Sequence, residues 1–224
     1  MSLLLLFPEP QSSAMQLDSR TLLAVYNDAL REIAAGPLAN VNSGNASLTE
    51  LNNAFPGAVT YVLSQADWNF AMRRATLYGV ADTTGFPPFT FRYARPSSYL
   101  RKHWIKIAAA DEFPTDHAEV GAAFYGFDPV ALIEYVSSAT DNYDPDTWSP
   151  QFARLVSIYL AFLVAPKLAR AGDDVLGPLW QRFQMTLTEA SAQEAVFYTN
   201  QQIPTERAPV MRRAVEFLGQ QLHG

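Results

Sequence analysis

The chain has 224 residues, 49% of them hydrophobic and 17% charged, the balance of a globular chain long enough to bury a substantial core. It contains no cysteine, so disulfides, thiolate metal sites and cysteine nucleophiles are excluded. Its formal net charge of -6 lacks the basic footprint of a general nucleic-acid binder, although it does not exclude a protein that DNA slides past.

The chain opens on Ser2-Leu3-Leu4-Leu5-Leu6-Phe7-Pro8, a short apolar run with no basic region before it and Glu9-Pro10 directly after. That pattern argues against a secretory signal and reads as an apolar arm over residues 1–18 that packs against something else, such as a neighbouring subunit. A first helix is expected from about Ser19 to Ala35. Asp18 or Ser19 caps it, Leu22, Leu23, Tyr26, Leu30 and Ile33 form its apolar stripe, and Gly36-Pro37 stops it. Ser47-Leu48-Thr49-Glu50 then has the form of a capping box and opens a second helix carrying Leu51, Phe55, Val59, Val62 and Leu63. Pro56-Gly57 inside that helix predicts a kink or a split.

Between Trp68 and Val136 glycines and prolines punctuate short aromatic and β-branched runs. Strands are expected over Phe89–Tyr93, Trp104–Ile107, Ala122–Tyr125 and Val130–Val136, with Gly126-Phe127-Asp128-Pro129 as the turn of a hairpin formed by the last two. Trp68 to Leu77 fits two patterns: alternation of Trp68, Phe70 and Met72 suits a strand, and the spacing of Trp68, Met72 and Ala75 suits a helix.

Helices return at Trp148-Ser149-Pro150. One long helix should run from about Pro150 to Ala171, bent at Pro166, and Gly172-Asp173 should end it and cap the next. That next helix, with Leu176, Trp180, Phe183, Leu187, Ala190 and Phe197 as its stripe, reaches about Thr199. The run Val156 to Ala165 is apolar on all sides, but Arg154 and Lys167 bracket it more closely than the roughly 20 residues a membrane span needs. It reads as a buried central helix. Gln201-Gln202-Ile203-Pro204 and Pro209 make a linker. Met211, Val215, Leu218 and Leu222 then form the narrow stripe of a short terminal helix whose partner is expected on another chain.

The expected class is therefore α+β, mainly helical, in a single domain. Helices over 19–66 form a bundle with a helical hairpin over 148–199, a β-rich insertion over 67–147 carries a small antiparallel sheet, and 200–224 is a terminal segment.

Catalytic templates fail against this chain. There is no Gly-x-Ser-x-Gly, no His-Glu-x-x-His and no glycine-rich phosphate loop. His117-Ala118-Glu119 matches the His-x-Glu of zinc deaminases, but their cysteine ligands are missing. Asp141, Asp144 and Asp146 lack the glycine turn and closing glutamate of a calcium loop, with Pro145 inside and Phe152 at the closing position, and read as a solvated acidic loop. With histidines only at 103, 117 and 223, a His-based site would need distant partners. No catalytic, cofactor or metal residue is assigned, and no enzyme activity is expected.

Phe89, Phe91, Tyr93, Tyr99 and Trp104 are interleaved with Arg92, Arg95, Arg101 and Lys102. They could stack bases and hold phosphates, but a strand pair with one aromatic and one charged face is the plainer reading. The charges are also segregated. Arg92, Arg95, Arg101, Lys102 and Lys106 occur with no acid among them. No Lys or Arg then appears before Arg154, while Asp111, Glu112, Asp116 and Glu119 open an acidic stretch. Either the two sets neutralise each other across strands, or they form complementary edges by which copies of the chain pair head to tail.

Four phrases carry a resemblance, in this order along the chain: Ala66-Asp67-Trp68-Asn69-Phe70-Ala71-Met72-Arg73-Arg74-Ala75, Phe91-Arg92-Tyr93-Ala94-Arg95-Pro96, Ile133-Glu134-Tyr135-Val136 and Trp148-Ser149-Pro150-Gln151-Phe152. Together with the helix–β–helix layout, over residues 51 to about 199, they resemble the head–tail adaptors of short-tailed bacteriophages, the tail tubular protein A type. The resemblance implies a structural protein that forms a dodecameric ring under the portal, joins after DNA packaging, helps close the capsid and carries the nozzle or tail. It implies no cofactor, no membrane, and DNA passing through the ring without sequence-specific binding. The protein would be made in the host cytoplasm and reside at the head–tail junction of the virion.

On this chain, portal docking falls on residues 200–224, with Ile203, Arg207, Met211, Arg212, Arg213, Val215, Leu218 and Leu222 as the docking side chains. The resemblance also favours an extended conformation for Trp68 to Leu77. Trp68, Phe70, Trp148 and Phe152 are then expected to pin the helical layer to the β-rich insertion, with Arg73-Arg74 as surface or interface charges. A non-viral protein-binding module and an enzyme of unfamiliar α+β fold are the alternatives.

Overall fold

A computed structural model describes residues 21–42, 44–82, 88–107, 116–170 and 172–202, with backbone alone at Ile107 and over 197–202. The N-terminal arm, the predicted terminal helix and its docking side chains, and Asp111 and Glu112 lie outside the described residues.

Local caps decide where the chain becomes helical. Thr21, not Asp18 or Ser19, caps α1 (Leu22–Glu32), its hydroxyl accepting from Ala24 N at 3.4 Å. The helix stops before Gly36-Pro37, because Ala34 turns left-handed (φ 53) and lets Ala34 N and Ala35 N donate back to the carbonyls of Arg31 and Leu30. Asn45 caps α2 (Ala46–Gln65) through Ser47 N at 2.9 Å, so the expected capping box is not used. Ser47 sits inside the first turn, and Glu50 pairs with Lys167 at 2.6 Å instead. Pro56-Gly57 does not split α2, and both residues are exposed.

Ser149 caps α3 (Pro150–Leu168), with Pro150 at the first position, where a missing N–H costs nothing. This helix ends at Leu168, three residues before the expected Ala171. Helix α4 (Asp173–Gln202) runs past Thr199 through Gln201-Gln202, which were expected in a linker.

The fold is mixed α+β. Four helices and two small antiparallel sheets form from the described residues, where one sheet was expected. The strands are β1 (Met72–Tyr78), β2 (Val80–Ala81), β3 (Phe91–Ala94), β4 (Tyr99–Ile107), β5 (Ala118–Val120), β6 (Ala123–Gly126) and β7 (Val130–Ser137). One sheet has the order β1-β7-β4 and the other β2-β3-β6-β5.

The expected hairpin at Gly126-Phe127-Asp128-Pro129 is therefore wrong: β6 pairs with β3 and β5, β7 with β1 and β4, and the turn passes the chain from one sheet to the other. The true short hairpin is β5–β6, where Gly121 supplies the positive φ (58) of a two-residue turn. Expected strand ends also shift. Phe89 and Thr90 precede β3, β4 begins five residues before Trp104, and β6 starts at Ala123 and takes in Gly126. Trp68 to Leu77 is extended only from Met72, after a 3-10 turn over Asn69–Ala71.

Helix α3 is the spine. Its N-terminal half packs Phe152, Leu155, Val156 and Ile158 with Val59, Val62, Leu63 and Trp68; its C-terminal half packs Leu160, Ala161 and Val164 with Tyr26, Leu30 and Leu51. It is long and apolar enough to cross a membrane, but most of it is buried against α1, α2 and α4. The Ser157 hydroxyl, 3.0 Å from Ala153 O in its own helix, also reaches Val25 O of α1 at 3.3 Å. A third core lies between the sheets, formed by Leu77, Tyr93, Ile105, Phe124, Ile133 and Tyr135.

Candidate functional site

The chain crosses between helices and sheets twice, and both crossings meet at Phe152. Its ring, fully buried, receives Trp68 at 4.9 Å, Phe70 at 4.8 Å and Trp148 at 4.9 Å between centroids, each close to edge-on. The 3-10 turn over Asn69–Ala71 makes this possible, because a straight strand would send Trp68 and Phe70 along one face without wrapping them around one ring.

Both indoles also close backbone carbonyls. Trp68 Nε1 donates to Val62 O at 2.8 Å, satisfying one of the last carbonyls of α2, and Trp148 Nε1 donates to Asn142 O at 2.8 Å. Asn142, buried after β7, donates to Ser137 O at 2.6 Å and accepts from Arg73 at 3.1 Å. Arg73 also donates to Phe70 O at 2.8 Å and pairs with Asp141 at 2.7 Å. It braces the joint, whereas the exposed Arg74 pairs at 2.5 Å with Glu134, which is buried on the neighbouring strand β7. Asp144 accepts from Asp146 N at 3.1 Å and so closes its own turn.

A second feature adjoins the joint. Strand β4 carries two irregularities against β7, at Leu100 and His103, each leaving one extra residue on β4. Bulges re-aim side chains. Leu100 turns into the helical core, and His103 reaches Asp67, Nδ1 to Oδ2 at 2.8 Å. Arg101 approaches the other oxygen of Asp67 at 3.3 Å. Gln65, Ala66, Asp67, Arg101, His103, Ser191 and Ala195 line a cleft of about 370 Å³ at this point. Beside it, Asn69 is held to α4 by Glu194, through N at 3.1 Å and Nδ2 at 2.7 Å.

The third feature is a polar seam between the sheets. Glu119 on β5 accepts from Arg95 at 2.5 Å and from the Tyr99 hydroxyl at 2.9 Å, and Lys102 lies 3.6 Å from it. Lys102 is also hydrogen-bonded to His117 Nε2. The Arg95 guanidinium lies over the rings of Tyr99 (4.9 Å) and Phe124 (5.4 Å). Burial and the adjacent Glu119 carboxylate push the Tyr99 phenol up to about 12.

The structure thus brings Trp68, Phe70, Trp148 and Phe152 together. It gives Arg95 and Lys102 a partner in Glu119 of the acidic stretch, while Arg101 pairs with Asp67, which lies before the strands and outside that stretch. Arg92 is exposed on β3, Lys106 sits 5.3 Å over the Trp104 ring, and Asp116 is exposed before β5. Asn142 and Glu194 were not singled out from the sequence, and Asp67, Asn69 and His103 were named there without their partners, which lie on distant segments. Neither a protein-family model nor a curated protein sequence matches the chain.

Proposed function

We propose that this chain is a structural virion protein, a ring-forming head–tail adaptor that docks under the portal, retains packaged DNA and presents a platform for the tail or nozzle. What supports the reading is one observation about the phrases that carry the resemblance. Trp68 and Phe70, Val136 of the third phrase, and Trp148 with Phe152 all belong to one buried cluster, so segments far apart in sequence fold into a single joint. A joint fastened in this way suits a part that bears load between two assemblies.

In this reading the N-terminal helices and the α3–α4 hairpin form the bundle that faces the ring, and the two sheets project from it toward a neighbour or the next tail protein. Portal docking falls to the segment from Ile203 to Leu222. Head-to-tail charge pairing falls to Arg92, Lys106 and Asp116 with Asp111 and Glu112, because Arg95, Arg101, Lys102 and Glu119 are engaged within the chain. DNA passes through without sequence-specific contacts, consistent with the acidic chain.

Sedimentation velocity of the full chain mixed with a portal protein from the same genome tests the assignment. A complex larger than the portal is expected, weakened when Met211→Glu and Leu218→Glu are introduced together. A portal that sediments unchanged at low and at high salt would refute it.

A further inference from the structure

Helix α4 turns an uncharged row outward. Opposite its buried Phe183 and Ala190, the residues at helical spacing are Gln181, Met185, Thr188, Ala192 and Val196, all exposed. The outward face of a surface helix ordinarily carries charge. Here two apolar side chains stand open to solvent instead, Met185 at 67% and Val196 at 60%. Beyond Gln202 the chain continues for 22 residues, 203–224, and these carry a matching row. Met211, Val215 and Leu222 recur at steps of four and seven, and Val196, Ala192 and Met185 recur at the same steps in the reverse direction. Each row covers about 16 Å of helix.

We infer that this face of α4 is the seat of the chain's own terminal segment, which lies back along it as an antiparallel helix in the free protein. Met211 then stands level with Val196, Val215 with Ala192 and Leu222 with Met185. The connection fits. Pro204 follows the last turn of α4, and Pro209 suits the first position of the returning helix. Between Gln202 and Pro209 the chain must travel back about 6 Å and across about 10 Å, well within the reach of about 20 Å that six residues have. Charge agrees as well. From Phe183 to Gln202 there are Glu189 and Glu194 and no Lys or Arg, whereas the segment carries Arg207, Arg212 and Arg213 against Glu206 and Glu216. The inference concerns the chain alone and does not rest on the adaptor reading. On that reading a portal would have to lift the stripe from α4, because the same side chains cannot face both.

The chain has no cysteine, so an introduced pair reports on the seat without interference. Ala192→Cys with Val215→Cys in the full-length protein should form a disulfide within one chain under mild oxidation, resolved by non-reducing electrophoresis and peptide mass mapping. The control pair, Ala192→Cys with Arg213→Cys, places the second thiol on the far side of the returning helix and should close about tenfold more slowly. No portal enters the experiment, so its outcome is independent of portal binding. Disulfides only between copies would give the face to a second chain, and equal rates for the two pairs, including no closure in either, would leave it without an occupant. Either result would overturn the inference.

Discussion

Phe152 is the residue on which both crossings of the chain converge, and its removal should be the costliest single truncation at the joint. Phe152→Ala empties a site walled by three aromatic rings and should lower stability by about 3–5 kcal/mol, read from the denaturant midpoint. Trp68→Phe isolates a different contribution. It keeps a ring against Phe152 but leaves Val62 O without its indole donor, which should cost about 1–3 kcal/mol. Tyr26 offers a test by pH. Burial pushes its phenol up from 10.0 to about 12, with the hydroxyl donating to Asn52 at 2.7 Å. The folded chain therefore favours the neutral phenol. Its contribution is full below pH 10 and is lost as the pH climbs from 10 toward 12, where only the unfolded chain ionises. Tyr26→Phe should flatten that part of the alkaline unfolding curve. The aromatic density around Trp68 and Trp148 was legible in the sequence because large apolar rings must be buried somewhere. Asn142, Glu194 and the carbonyl of Val62 were not, because their partners are fixed only by tertiary placement.

At the scale of elements, the long helices were legible and the strands less so, for a physical reason. Helix α3 announces itself through Ser149-Pro150 and an apolar run, and those are local signals. Strand β4 hides itself. Its extra residues at Leu100 and His103 break the two-residue alternation, so only Trp104 to Ile107 read as strand. The Gly126–Pro129 turn misled in another way, since a turn signal fixes a change of direction and not the strand with which the next segment pairs. Two glycines test this topology. Gly121→Ala forces a side chain into the left-handed region at the β5–β6 turn and should cost about 1–2 kcal/mol. Gly79→Ala should be worse placed, because its Cβ would stand 2.9 Å from both Phe91 Cβ and Tyr93 Cε1, where the chain passes from β1 to β2. Its thermal midpoint should fall further than that of Gly121→Ala, and near wild-type stability would mean that the sheets are not so closely joined there.

For the molecule as a whole, three cores are linked in series: one around the lower half of α3 and the joint, one around its upper half, and one between the sheets. The first two share α3, so the helices should unfold together, while the sheets hang on the joint, the Asp67–Arg101–His103 contacts and the Asn69–Glu194 bonds. The acidic balance and the segregation of charge were legible from the sequence. Which cations the chain neutralises for itself was not, because Glu119 collects Arg95 and Lys102 from two different segments. The central proposal is that this chain builds a ring on a portal, and electron microscopy of the protein mixed with a portal protein from the same genome tests that most directly. The account predicts a ring seated on the portal, with the segment from Ile203 to Leu222 against it and the sheets facing neighbours or the tail side. Portals that remain bare at every salt concentration would contradict it.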